Sequence, residues 1–191
     1  PAILVPWRVH WRVTGYLEVP VNKALQNRDW GNVAVLYGGL SSEREISLKS
    51  GRAVADALLR QNVTIDLVDV GADFLSILAA QQNGARKKWD RAFIVLHGVG
   101  GEDGMMQAVL EMAGIPYTGS RVLASALGMD KWRTKMIWQA QQLSTPGYAL
   151  LRQDTDWRAC IEMLGGTAIV KPACEGSSIG MRKVGNAGEL Q

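Results

Sequence analysis

The sequence predicts an α/β protein built on a parallel sheet wrapped by helices. Three observations carry that prediction. Short apolar runs of strand length, Val33 to Tyr37, Val63 to Val70 and Ala92 to Leu96, alternate with segments of helical spacing. Polar, glycine-rich loops follow the first and third runs, as Gly38-Gly39-Leu40-Ser41-Ser42-Glu43-Arg44-Glu45 and His97-Gly98-Val99-Gly100-Gly101-Glu102-Asp103-Gly104. A further loop, Lys171-Pro172-Ala173-Cys174-Glu175-Gly176-Ser177-Ser178-Ile179-Gly180-Met181, follows the apolar run Thr167 to Val170. Open α/β sheets bind ligands at the carboxyl ends of their strands, which is where these loops stand.

Taken in order, Pro1 to Gly31 differs in character from the rest. Trp7, Val9, Trp11 and Val13 alternate with Arg8, His10 and Arg12, the two-residue period of a half-buried strand. Residues 1–31 are left as an unassigned extension, read as the end of a preceding domain or as non-native sequence rather than as a docking segment. After the strand at Val33, Glu45 to Leu59 places Ile46, Val54, Ala57 and Leu58 at helical spacing. Phe74 to Ala80 is expected to be a short helix, and Met105 to Ala113 a helix stopped by Gly114. Residues 32–125 are therefore expected to form one domain. A boundary between Ser120 and Asp130 introduces a second, residues 126–191. There Lys131 to Gln142 is expected to be helical, followed by a strand near Tyr148 to Leu151, a helix near Trp157 to Leu164 and the strand at Thr167. The second domain ends at Gln191 within what resembles a new helix, and no methionine precedes Met105, so the chain is expected to be a fragment.

Composition narrows the function classes. An apolar content of 47% with 20% charge suits a folded globular chain and excludes a low-complexity one. A net charge of +3 gives no strong nucleic-acid footprint and fits anionic small molecules equally well. Cys160 and Cys174, with only His10 and His97 beside them, support neither a disulfide framework nor a zinc cluster. No apolar stretch reaches bilayer length. A cytoplasmic location is expected, with neither nucleic acid nor membrane as partner.

The loops suggest chemistry. Glu43 stands at a helix start, where unpaired amides favour negative charge, and can hold an ammonium group or simply cap the helix with Ser41 or Ser42. From these residues alone, capping is favoured. His97 can donate to a carboxyl oxygen or support developing negative charge, while Glu102 and Asp103 are expected to shape the turn and cap the next helix. Lys171 can reach phosphate as a point charge, and Glu175, Gly176, Ser177 and Ser178 can present amides and hydroxyls as an anion-binding nest. The plainer reading is a hairpin turn with a surface lysine, which the preceding buried strand and Pro172 disfavour. Lys131 is either a second phosphate contact or a solvated helix charge. No P-loop, complete dinucleotide fingerprint or serine-hydrolase elbow occurs.

Together the three loops, with Met105-Met106-Gln107-Ala108 after the second, resemble the D-alanine–D-alanine ligases of the ATP-grasp superfamily from about Asn32 to Gln191. The resemblance implies a Rossmann-like, pre-ATP-grasp domain followed by an incomplete ATP-grasp domain. It implies ATP-dependent joining of two D-alanines through an acyl phosphate, for peptidoglycan precursors. It also implies that Glu43 holds the first ammonium and that His97 lies beside the first carboxyl group. Lys131, Lys171, Glu175, Gly176, Ser177 and Ser178 address ATP, and Ser177 links Glu43 to a later loop tyrosine. No metal ligand is expected in this chain; Mg2+ ligands and the second-substrate contacts are expected beyond Gln191, so these residues alone are expected not to turn over. A homodimer is expected by the same resemblance. A D-alanine–D-lactate ligase and a catalytically silent nucleotide-binding module are the competing expectations.

Overall fold

Apolar runs become strands and amphipathic segments become helices in the computed structural model, which describes residues 2–6, 29–176 and 178–189. The elements are strand β1 (Ala2–Pro6), strand β2 (Asn32–Gly38), helix α1 (Arg44–Arg60), strand β3 (Thr64–Val70), helix α2 (Phe74–Gln82), strand β4 (Arg91–Ile94) and helix α3 (Met105–Met112). They continue with helix α4 (Val122–Met129), helix α5 (Lys131–Ala140), strand β5 (Ala149–Leu151), helix α6 (Trp157–Met163), strand β6 (Ala168–Pro172), strand β7 (Arg182–Val184) and a 3-10 turn at Ala187–Glu189. The chain divides into two compact units between Ala126 and Leu127, within α4, and β1 belongs to the later unit. Among the described residues, no helix is long and apolar enough to cross a membrane.

In the earlier unit the sheet has the order β3-β2-β4, and both pairings of β2 are parallel. A central parallel strand is covered on both faces, which demands an unbroken apolar run. Accordingly, Val33, Ala34, Val35 and Leu36 are all buried. Trp89 and Phe74 stack at 6.3 Å between ring centroids, and the Trp89 indole N–H donates to Asp66 Oδ2 at 2.8 Å. These side chains join Leu36, Leu110 and Ile115 in one core. Helix α1 lies close on β2 because Gly51 has no side chain: a Cβ there would stand 2.3 Å from the Tyr37 Cβ. That close approach sets the start of α1, and with it Glu43, beside the carboxyl end of β2.

The later unit has a four-stranded sheet, β5-β1-β6-β7, in which β1 runs antiparallel to both neighbours. Leu4 is paired with Ala149 on one side and Val170 on the other. It is fully buried, and packs with Ile161, Leu164, Ala168 and Val184. Residues left unassigned by the sequence therefore include one structural strand, Ala2–Pro6; the alternation from Trp7 to Val13 lies outside the described residues. Because β1 separates β5 from β6, its loss would split the sheet. Leu4→Ala is expected to destabilise this unit by about 2–3 kcal/mol through the lost burial and the remaining cavity. Hydrogen exchange should quicken in β5 and β6 while β2 stays protected; unchanged exchange in β6 would contradict this.

Candidate functional site

The loop after β2 begins with two glycines at φ +78° and +82°, a left-handed path that other residues rarely take. At Gly38 a Cβ would also fall 2.1 Å from Asp69 Oδ1, so glycine is needed there twice over. Asp69 receives both Arg44 guanidinium nitrogens at 2.7 Å, tying the start of α1 to the end of β3. That hydrogen bonding holds the Asp69 carboxyl below its ordinary value, although both partners are partly exposed and the pair adds little stability.

Glu43 occupies the N-cap position of α1, yet its side chain makes no capping hydrogen bond. It is only 2% exposed. Its Oε2 lies where a side chain on Gly98 would collide, 2.7 Å from an ideal Cβ. Ser41 stitches the two loops: its hydroxyl donates to the His97 carbonyl at 2.7 Å and accepts from the Glu43 amide at 3.1 Å. His97 Nε2 is buried and has no hydrogen-bond partner among the described residues. Buried polar atoms are ordinarily satisfied, so such a nitrogen at a strand end is a place for a ligand atom. Glu43 and His97 are thus brought together at the ends of β2 and β4.

Glu102 and Asp103 are consumed in shaping the second loop. Glu102 Oε2 accepts from the Gly98 amide at 2.9 Å, and Asp103 accepts from the amides of Gly100 and Met105 at 2.9 and 3.1 Å. Ser47 is a contributor that sequence reasoning passed over. Fully buried on α1, it donates to the Val95 carbonyl at 2.6 Å and accepts from the Gly38 amide at 2.9 Å, joining the two strand ends through one hydroxyl. Only a serine at a helical position facing glycine could have hinted at it.

In the later unit, β6 and β7 pair antiparallel, so the third loop does close a hairpin. Hairpins need about two to five loop residues, whereas residues 173–181 intervene here. Within them Ser178 takes φ +62° and Gly180 φ +67°, turning the backbone through the left-handed region that lines amides around anions. Gly180 also passes close over Pro172, 2.9 Å from its Cγ to an ideal Cβ. Lys131 reaches the same loop. Its backbone amide donates to the Ala173 carbonyl at 3.0 Å, and its ammonium donates to the Glu175 carbonyl and, at 3.5 Å, to that of Ala173. Lys171, Glu175 and Gly176 are half-buried. Ser177 lies outside the described residues, and Cys174 is exposed.

Asp130 caps α5, which carries Lys131. Its carboxylate accepts from the Arg133 amide at 2.9 Å and from the Arg133 guanidinium. Burial opposes its ionisation, but the Arg133 contacts outweigh that and hold its pKa below the ordinary aspartate value. The stabilisation is therefore complete above about pH 4, the unfolded aspartate value, and is lost as pH falls through the depressed folded value. Asp130→Asn, which keeps a capping oxygen but cannot ionise, should flatten that acid limb in a stability–pH profile. A profile identical to that of the parent would show that Asp130 does not report on the cap.

Among the described residues, no three His, Cys, Asp or Glu side chains group as a metal site.

Comparison with known proteins finds similarity to D-alanine–D-alanine ligases. The family model described as D-ala D-ala ligase N-terminus matches residues 72–120. A D-alanine–D-alanine ligase of Pseudomonas fluorescens is 57% identical over 163 residues, 85% of this chain and 48% of that protein. A crystal structure of D-alanyl-alanine synthetase A from Vibrio cholerae matches with a TM-score of 0.73 at 28% identity, covering 85% of this chain and 54% of that one. That of the D-alanine–D-alanine ligase from Bacillus anthracis complexed with ATP gives 0.68 at 31% identity, covering 83% and 52%. The chain spans about half the length of the curated relatives it matches. By sequence, over that span, the chain is similar to the D-alanine–D-alanine ligases, and residues 72–120 match the model of their N-terminal part.

Proposed function

We propose that this chain supplies the first-substrate and phosphate-binding parts of an ATP-dependent D-alanine–D-alanine ligase. The observation that carries the reading is the buried Glu43 carboxylate, set against Gly98 and not used as a helix cap, with the orphaned imidazole Nε2 on the adjoining residue, His97. A carboxylate and an imidazole nitrogen on adjoining strand ends suit an amino acid, whose ammonium goes to Glu43 and whose carboxyl oxygen goes to His97. Names of relatives, one of them complexed with ATP, support the same reading.

In the proposed reaction, one D-alanine carboxylate oxygen attacks the γ-phosphorus of ATP, ADP leaves, and an acyl phosphate forms. The amine of a second D-alanine then attacks that acyl carbon, loses a proton and expels inorganic phosphate. There is little covalent work for the protein; positioning and charge neutralisation dominate. Glu43 and His97 orient the carboxylate that reacts, while Lys131, Lys171, the backbone at Glu175 and Gly176, and Ser177 and Ser178 hold phosphate. Magnesium would accompany the triphosphate; among the described residues no three His, Cys, Asp or Glu side chains group to hold it. Cytoplasmic location and homodimerisation belong to the same proposal.

Phosphate release by a protein of the relatives' full length carrying these residues tests it. Release should require ATP and D-alanine and should not occur with L-alanine. Release that is independent of D-alanine would refute the assignment.

A further inference from the structure

The ladder between β2 and β4 is interrupted just where it would reach the site. Up to that point it is regular: Val33 to Leu36 pair in register with Arg91 to Ile94, and the Val95 amide donates to the Leu36 carbonyl at 2.8 Å. In a regular parallel ladder the next rung would run from the Gly38 amide to the Val95 carbonyl. Instead the Ser47 hydroxyl is inserted between them, accepting from the Gly38 amide at 2.9 Å and donating to the Val95 carbonyl at 2.6 Å. Two hydrogen bonds in series take the place of one, so the strand ends stand further apart than a direct rung allows. A serine inside a helix commonly bonds its hydroxyl back to the carbonyl one turn earlier. Fully buried on α1, Ser47 does not: only its amide serves the Glu43 carbonyl, at 3.1 Å, while its hydroxyl is committed to the two strands. The gap lies at the base of both loops that carry the site, since Glu43 follows Gly38 and His97 follows Val95. With the order β3-β2-β4, the chain leaves β2 for one side and returns on the other, and open sheets take their ligands in the crevice at such a point.

We propose that Ser47 is a positioning residue for the first substrate: its hydroxyl wedges the ends of β2 and β4 apart at the spacing that lets one amino acid reach both Glu43 and His97. This rests on the reading of those two residues as the amino-acid site. In Ser47→Ala the wedge is gone, and the Gly38 amide can pair directly with the Val95 carbonyl. Both buried groups are then satisfied, but the crevice narrows. A purely structural serine would instead lower stability and leave affinity alone.

The test combines thermal melts with D-alanine titrations of the whole chain, followed by amide chemical shifts. Ser47→Ala should bind D-alanine about tenfold more weakly, the equivalent of one misplaced hydrogen bond. It should also gain a through-hydrogen-bond coupling between the Gly38 amide nitrogen and the Val95 carbonyl carbon that the parent lacks. Ser47→Thr, which keeps the hydroxyl, should recover most of the affinity. Leu78→Ala, in the core of the same unit, should melt earlier yet bind D-alanine as the parent does. If Ser47→Ala folds and keeps parental affinity while Glu43→Gln loses binding, the role of Ser47 is refuted and the amino-acid site stands. An equal loss of affinity in Leu78→Ala also refutes it, because the effect then follows stability alone. If Ser47→Ala does not fold, an uncoupled Gly38–Val95 pair in the parent together with D-alanine binding by Ser47→Thr supports the proposal. A coupled pair in the parent, or a folded Ser47→Thr that binds as poorly as Glu43→Gln, refutes it. A folded parent that binds no D-alanine overturns the amino-acid reading and, with it, this inference.

Discussion

Gly98→Ala is expected to leave the earlier unit folded and to weaken D-alanine binding on the order of a hundredfold, the cost of disturbing one partner of a buried charged contact. Gly98 has φ +68°, so alanine there pays about 1–2 kcal/mol for the left-handed conformation. The new methyl would meet Glu43 Oε2 at 2.7 Å and the Ser41 Cβ and Oγ at 3.3 Å. Oε2 ends a flexible side chain, so it can give way without unfolding the strand ends. What gives way is the group proposed to hold the substrate ammonium. Comparing thermal melts with D-alanine titrations of the same variant separates the two effects. Parental D-alanine affinity in a folded Gly98→Ala would mean that Glu43 does not face the substrate.

Lys131→Met is expected to reduce ATP binding by about a hundredfold, combining a lost charge-assisted hydrogen bond with a loosened loop. An ammonium has three donors, and those at Lys131 already engage the carbonyls of Ala173 and Glu175. The lysine therefore does two things: it anchors the loop after β6 and it places positive charge at the Ala173 and Glu175 carbonyls of that loop. Lys131→Arg keeps the charge but cannot reproduce the compact contact with two adjacent carbonyls, so an intermediate loss is expected. The backbone amide of residue 131 still donates to Ala173 in either variant, which keeps the helix start in place. ATP titration with intact secondary structure by circular dichroism provides the check; undiminished affinity in Lys131→Met would leave the residue as an ordinary helix charge.

The parallel strands were legible because β2 is buried on both faces and must be apolar throughout. The glycine loops were legible because a left-handed turn leaves few alternatives to glycine. Helix α4 was not. Its residues, Val122 to Met129, offer almost no polar face to give a helical period, and the preceding Gly119-Ser120 resembles a linker. Strand β1 was missed because its pairing partners, Ala149 to Leu151 and Ala168 to Pro172, are remote in sequence. Strand β7 is only three residues long and exposes Arg182 and Lys183, so it carries no apolar signal. At the sites, His97 and Lys171 stood out through their loops, whereas Glu43 and Lys131 were singled out by the family resemblance. Ser47 was missed, since a buried polar group is revealed only by its partners, and Gly38 and Val95 come from other segments.

An amide chemical-shift titration of the chain with D-alanine, and in parallel with L-alanine, tests the central claim most directly. The account predicts saturable shifts at Glu43, His97 and Gly98 with the D-enantiomer and little response to the L-enantiomer. Equal responses to both, or shifts confined to residues elsewhere in the chain, would contradict it.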